Sequence, residues 1–218
     1  MVFLIVPAHN EAERIGAVVQ GLKALGFTVV VVDDGSTDET SSKARTSGAV
    51  VIRHFLNRGQ GAALETGDEY ARRHNATAVV HFDGDGQMKA SDIAPALHLV
   101  ESGEYDVVLG SRFLDKRSRL PWSKRHVVLP ISRWINFVFT GVKLTDAHNG
   151  FRILNRKALE HIRIRQDGMA HNSEIIAQVK KFKLRFIECP VEVVYHEYGQ
   201  GVRGGMRVLA DLIKALFL

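Results

Sequence analysis

One cysteine, Cys189, stands among 218 residues, so no intrachain disulfide is possible. That fits a reducing compartment, and with it a cytoplasmic protein. Cys189 lies in the apolar run 186-FIECPVEVVY-195 and is expected to be a packed core residue. No stretch approaches the about 18–20 uninterrupted apolar residues of a membrane-spanning helix. The best candidate, 127-VVLPISRWINFVFTGV-142, is broken by Pro130, Arg133 and Asn136. The N-terminal MVFLIVPAHNEAERIG has a short apolar run with no basic residue before it and charges directly after it, which excludes a signal peptide. There is no internal repeat and no low-complexity tract. A Walker A loop is missing. The dinucleotide fingerprint G-x-G-x-x-G belongs directly after a first strand. Here that position holds 7-PAHNE-11, and the misplaced 59-GQGAAL-64 carries Leu64 where the third glycine belongs. No interleaved basic and aromatic sheet face or recognition helix points to nucleic acid.

What is present is enough for one well-packed domain, with 45% apolar residues in the 218-residue chain. Lys and Arg number 29 against 24 Asp and Glu, a net charge of +5. The excess is concentrated: Arg112, Lys116, Arg117, Arg119, Lys124, Arg125 and Arg133 face a single acid, Asp115, over residues 112–133. Such a run is either a solvated loop or a site for an anionic partner.

Short apolar runs alternate with helical spacing through the first half. Strands are expected at Val2–Val6, 28-TVVVVDD-34, Val50–Arg53, Ala78–Phe82 and Asp106–Leu109, with helices at Glu11–Leu25, Asp38–Ser47, Gly61–His74 and Ala90–Ser102 between them. Ser36 or Thr37 is the expected cap of the second helix. The alternation predicts an α/β fold, a mostly parallel central sheet with helices on both faces. Unbroken Val/Ile strands agree with burial on both sides. After residue 110 the rhythm changes. An amphipathic helix is expected at Ile131–Val142, a polar loop at Thr145–Asn149, a strand at Phe151–Leu154, a helix at Asn172–Phe182, a strand at Arg185–Tyr195 and a last amphipathic helix at Met206–Leu218.

In open α/β sheets, ligands bind at the carboxyl ends of the strands. The segments that follow the strands are 7-PAHNE-11, 33-DDGSTDET-40, 83-DGDGQ-87 and 110-GSR-112, and three of the four carry carboxylates. Asp83, Asp85 and Gln87 offer hard oxygen ligands, suited to Mg²⁺ or Mn²⁺ rather than zinc. Mg²⁺ takes one or two carboxylates and completes its shell with water and substrate phosphates. The glycines between them let backbone approach a bulky anion. An EF-hand is excluded: counting from Asp83, the twelfth position is Ala94 rather than glutamate, and a strand precedes the loop.

Together, 7-PAHNE-11, 33-DDGSTD-38, 57-NRGQGAALETG-67, 83-DGDGQ-87, 110-GSR-112, 146-DAHNGFR-152 and 190-PVEVVYHEYGQG-201 resemble family-2 glycosyltransferases of the glycosyltransferase A fold. The branch they are most similar to is the polyprenyl- (dolichyl-) phosphate sugar synthases, and the resemblance covers nearly the whole chain. It implies a single glycosyltransferase domain over residues 1–218, with a nucleotide-sugar-binding half (1–112) and an acceptor-binding half (113–218). Pro7, His9 and Glu11 then stand where the family contacts base and ribose, with His9 in place of the usual tyrosine. Val32 and Asp34 stand at further nucleoside contacts. Asp83, with Gly84 beside it, is placed at the ribose or the metal-bound diphosphate, and Asp85 and Gln87 at the metal. Arg112 and Arg125 match arginines near the donor and acceptor phosphates. His196 stands where the branch has arginine, and Arg203 near the place of its lysine.

These roles imply an inverting transfer from a GDP- or UDP-sugar, with Mg²⁺ or Mn²⁺ as cofactor, to a polyprenyl phosphate, in cell-envelope glycan biosynthesis. A phosphate monoester is largely dianionic near neutral pH and attacks without a base. A hydroxyl acceptor needs one, and Asp146 and Glu174 are the candidates. The basic segment, with Arg117, Arg119, Lys124, Arg125 and Arg133 ahead of Trp134, Ile135, Phe137, Val138 and Phe139, is expected to lie along a membrane surface. The chain carries no C-terminal membrane span, so attachment at the cytoplasmic face is expected to be peripheral.

Overall fold

The computed structural model describes residues 1–115, 137–138, 141–146 and 149–194. The expected helix at Met206–Leu218, the region of His196 and Arg203, Arg125, and all of the basic segment from Lys116 to Asn136 lie outside the described residues. Of the helix expected at Ile131–Val142, Phe137 and Val138 are helical and exposed, while Gly141 and Val142 are not helical, so the helix ends before its expected C-terminus.

Seven strands form one sheet in the order β3-β2-β1-β4-β6-β5-β7. β1 (Val2–Ala8), β2 (Thr28–Asp33), β3 (Val50–Arg53) and β4 (Ala78–His81) run parallel. β5 (Val107–Ser111) and β7 (Phe186–Pro190) are parallel to each other. β6 (Arg152–Asn155) is antiparallel to both β4 and β5. A mostly parallel sheet is therefore borne out.

The alternation of side chains along each strand explains the two cores. Phe3, Ile5, Val30, Val32 and Val79 face one side, against Ala63 and Leu64 of α3 (Gln60–Arg73) and Ile175, Ile176 and Val179 of α6 (His171–Lys181). Leu4, Val6, Val29, Val31 and Val80 face the other. There they meet Ile15, Val19 and Leu22 of α1 (Ile15–Ala24), Ala44 of α2 (Thr40–Thr46) and Ile93, Ala96, Leu97 and Val100 of α4 (Ile93–Glu101). Covering both faces explains why the strands read as unbroken apolar runs. Cys189 is in the second core, as expected.

Several boundaries differ from the expectations. α1 begins at Ile15 rather than Glu11 because the Glu11 carbonyl already accepts from Arg14 N (3.0 Å) and Ile15 N (2.9 Å), closing a turn first. Neither Ser36 nor Thr37 caps α2. Ser36 Oγ accepts from Asn10 N at 2.9 Å, and Asp38 Oδ1 takes the Thr40 N–H at 3.0 Å instead. β7 ends at Pro190, opposite Ser111, where β5 also ends; Val191 N still donates to the Ser111 carbonyl at 3.0 Å, and a Met88–Val193 bridge follows. α5 (Arg156–His161) was not expected. Its signal was local: Asn155 Oδ1 accepts from Ala158 N at 2.8 Å, an N-cap.

Candidate active site

The carboxyl ends of β1, β2 and β4 open onto a cleft of about 450 Å³. Its lining includes Pro7, His9, Glu11, Asp34, Asp83, Gly84 and Asp85, which are most of the residues expected there. A smaller cavity of about 90 Å³ shares Asp83 and Asp85 with it and adds Gln87, Arg112, Asn149 and Gly150. The two acids of 83-DGDGQ-87 thus stand at the junction of a large and a small compartment.

The cleft is built from polar contacts between strand ends. His9 Nδ1 lies 2.9 Å from the Asp34 carbonyl, and Asn10 Nδ2 lies 3.1 Å from His9 Nε2. This pattern assigns the ring proton to Nδ1, donating to the carbonyl, and leaves Nε2 as acceptor. Asp34 gathers the loop after β3: Oδ1 accepts from Arg58 N at 3.0 Å and is 2.7 Å from His54 Nδ1, and Oδ2 accepts from Gly59 N at 2.6 Å. Val32 is not brought to the cleft. It is fully buried in the first core, and its backbone sits between β1 and β3.

The glycines of 57-NRGQGAALETG-67 serve packing. A Cβ on Gly61 would stand 2.0 Å from the Gln166 carbonyl oxygen. Gly61 N and Ala62 N donate to the Asp167 carbonyl at 2.8 and 3.4 Å, so the start of α3 is filled by protein. Gln60 beside them reaches the site: its Nε2 donates to Asp83 Oδ1 at 2.8 Å. Gln60, Asn57 and Met169 line the cleft and had no role assigned from sequence. Gln60 was legible only as part of a glycine-rich segment.

Burial, and then the neighbouring charge of Asp85, push the Asp83 carboxyl up to about 6, against the opposing charges of Arg152, His81 and Arg112. A divalent cation between the two acids would relieve that like-charge conflict, and Gln87 lines the same cavity with a further oxygen. Among the described residues no group of three or more His, Cys, Asp or Glu converges on one point. The donor set suits a hard cation that takes two carboxylates and fills its shell from phosphate oxygens. One prediction follows from the raised acid. A carboxyl whose folded-state value is raised from 3.8 to about 6 contributes stability that is present below 3.8 and lost as pH rises through 6. Asp83→Asn is therefore expected to be more stable than wild type at pH 7.5 in chelator, by about 1–2 kcal/mol, since tenfold in proton affinity is worth about 1.4 kcal/mol and solvent at the cleft screens part of it. The gain should vanish below pH 4, as urea titrations at both pH values would read.

Arg112 enters the smaller cavity held by Asp146. Its Nε and backbone N donate to Oδ2 at 2.6 and 3.1 Å, and its Nη2 donates to Oδ1 at 2.8 Å. Burial works to raise the Asp146 carboxyl, and the hydrogen bonds and charge of Arg112 outweigh it, holding the acid below the usual range. Asp146 is thus anchored to a guanidinium, which is poor placement for a proton acceptor. Glu174, the other expected base, accepts from Arg165 N and Gln166 N, both at 2.9 Å, and lines neither cavity. His171 is fully buried, as a core histidine would be.

Sheet order, helices on both faces and a carboxylate-bearing cleft at the strand ends define an α/β protein with a polar ligand site at the carboxyl edge of its sheet. Residues 3–163 match the family model "Glycosyl transferase family 2", and the chain belongs to that family. It is 36% identical to the uncharacterized protein MJ1222 of Methanocaldococcus jannaschii, over 97% of this chain and 90% of that one. It is 29% identical to the UDP-N-acetylglucosamine–dolichyl-phosphate N-acetylglucosaminyltransferase of Methanococcus voltae, over 98% of this chain and 95% of that one. Among solved structures it is similar to glucosyl-3-phosphoglycerate synthase from Mycobacterium tuberculosis in complex with Mn²⁺ and uridine-diphosphate-glucose. That match has a TM-score of 0.74 at 19% identity, covering 98% of this chain and 78% of that one, and it is a likeness of fold. Among the described residues no helix is long and apolar enough to cross a membrane.

Proposed function

We propose that the protein transfers a sugar, with inversion, from a UDP- or GDP-sugar to a polyprenyl phosphate. The observation that carries this reading is the placement of Asp83 and Asp85 between a cleft of nucleotide size and a small cavity closed by Arg112. The cleft takes the nucleoside, bounded by Pro7, His9, Glu11 and Asp34. Asp83, Asp85 and Gln87 would hold Mg²⁺ or Mn²⁺, which supplies charge neutralisation to the departing nucleoside diphosphate. Arg112 presents a fixed positive charge to the same region, and its pairing with Asp146 means it need not reorganise as charge develops.

The choice of acceptor turns on the two candidate bases, Asp146 and Glu174. A hydroxyl needs a proton acceptor within hydrogen-bond reach. Asp146 is engaged by Arg112 and Glu174 by backbone N–H groups. A phosphate monoester attacks as an anion and needs no base. The dolichyl-phosphate relative from Methanococcus voltae supports the same choice. A lipid acceptor in turn implies peripheral contact with the cytoplasmic face of a membrane. The test is incubation with Mn²⁺ or Mg²⁺, a panel of UDP- and GDP-sugars and short-chain polyprenyl phosphate in detergent. Metal-dependent formation of a lipid-linked sugar is the expected result. Nucleotide release with no lipid product, but with transfer to a hydroxyl compound, would overturn the acceptor assignment.

A further inference from the structure

The loop that carries Asp146 is itself held by a residue on the far strand. Glu188 is on β7, opposite Leu109 of β5, and lines neither cavity. Its Oε1 accepts from Thr145 N at 2.9 Å, Thr145 Oγ1 at 2.8 Å and Asp146 N at 3.1 Å, and its Oε2 lies 3.0 Å from Thr145 N. Thr145 Oγ1 also lies 2.6 Å from Ser111 Oγ, at the end of β5 and next to Arg112. The next link is the Asp146 carboxylate, which fixes Arg112 through three N–H groups.

Main-chain packing alone would not impose this arrangement. Thr145 and Asp146 lie in a loop outside the strands, and one carboxylate gathers both of their backbone N–H groups. A charged acceptor makes bonds about twice as strong as neutral ones. A guanidinium gripped at Nε and Nη2 has its plane fixed, so the orientation of Arg112 in the small cavity is set by where the 145–146 backbone sits. Glu188 holds that backbone at two successive N–H groups.

We infer that Glu188 is a positioning residue for the transfer reaction, acting through Asp146 to orient Arg112. This rests on the reading of Arg112 as a phosphate-facing group. The role lies in a relay from an edge strand, β7 to loop to guanidinium, rather than in contact with any substrate.

Glu188→Ala is expected to lower kcat/KM for transfer by about 100-fold, the size of effect that follows from misplacing a catalytic group by about 1 Å. The loss should fall on kcat and on acceptor KM, with free UDP or GDP binding to the large cleft unchanged. Glu188→Gln keeps an Oε1 acceptor for Thr145 and Asp146 and should recover most of the activity. In an Arg112→Ala background, adding Glu188→Ala should cost nothing further, because its effect passes through Arg112. Full additivity of the two substitutions, or parallel loss of nucleotide binding, would overturn the relay.

A readout independent of catalysis separates failure of this inference from failure of the functional reading. In side-chain ¹⁵N spectra of arginine, the Arg112 Nε–H, assigned by its loss in Arg112→Lys, should be protected from exchange in wild type. It should exchange rapidly in Glu188→Ala and remain protected in Glu188→Gln. Unchanged protection in Glu188→Ala would overturn the inference even if no donor or acceptor were turned over.

Discussion

Asp85→Ala is expected to reduce sugar transfer by about 1,000-fold, the range found when a group facing developing charge is removed. The fold should survive it. Asp85 is partly exposed at the junction of the two cavities, and the one hydrogen bond described for its side chain accepts from Gln87 N at 2.9 Å. Substitutions away from buried networks cost little. The thermal midpoint should therefore stay within a few degrees of wild type, while calorimetric titration with Mn²⁺ and UDP loses its metal-dependent component. Asp85→Asn sharpens the point, because its carbonyl can still accept from Gln87 N while the charge is gone. Activity in either variant above about a tenth of wild type would contradict the role given to this carboxylate.

Arg152→Met should act on stability as strongly as Asp85→Ala acts on rate. Arg152 is 1% exposed, the largest of the fully buried side chains. It is paired in register with His81 of β4. Its Nη2 donates to the Asn149 carbonyl at 2.8 Å and also to Asn172 Oδ1. Burial lowers its guanidinium to about 10, and the charges of Asp83, Asp146 and Asp68 oppose that lowering. It stays a cation at neutral pH, the counter-charge beneath the acids of the site. Removing one partner from a buried charge set costs about 3–5 kcal/mol, because the other charges stay behind. For a chain of this length that is a fall in melting temperature of roughly 10 °C. Urea unfolding measures it directly. Arg152→Lys should rescue only part of the loss, since an ammonium cannot span Asn149 and Asn172 in one plane.

Much of the sheet was legible because its evidence is local. Runs such as 28-TVVVVDD-34 can hardly be anything but doubly covered strands, and acids clustered after several of them marked the cleft edge. The second half was harder. β6 looked like any short apolar run, and nothing in 151-FRIL-154 announces that it enters the sheet between β4 and β5 in the reverse direction. Arg152 went unweighed for the same reason, since a single arginine in sequence gives no sign of burial. Asp146 stood out in the sequence as a candidate base, but its partner did not, because the Arg112–Asp146 bond joins residues 34 apart. Gln60 and Glu188 act across still other strand crossings, 23 residues to Asp83 and 43 to Thr145. Val32 is the reverse case: its place in a motif suggested ligand contact, and strand alternation puts its side chain in the core.

The reversed strand has a further consequence. β5 leaves the sheet at the edge that carries the cleft, and β6, running the opposite way beside it, re-enters at that same edge. The two ends of the excursion between Ser111 and Arg152 are therefore neighbours, stitched by the Val107–Leu154, Val108–Ile153 and Leu109–Arg152 pairs. An insert whose ends meet can vary in the length of its middle with little strain on the register of the sheet, because loop closure costs grow only slowly with length.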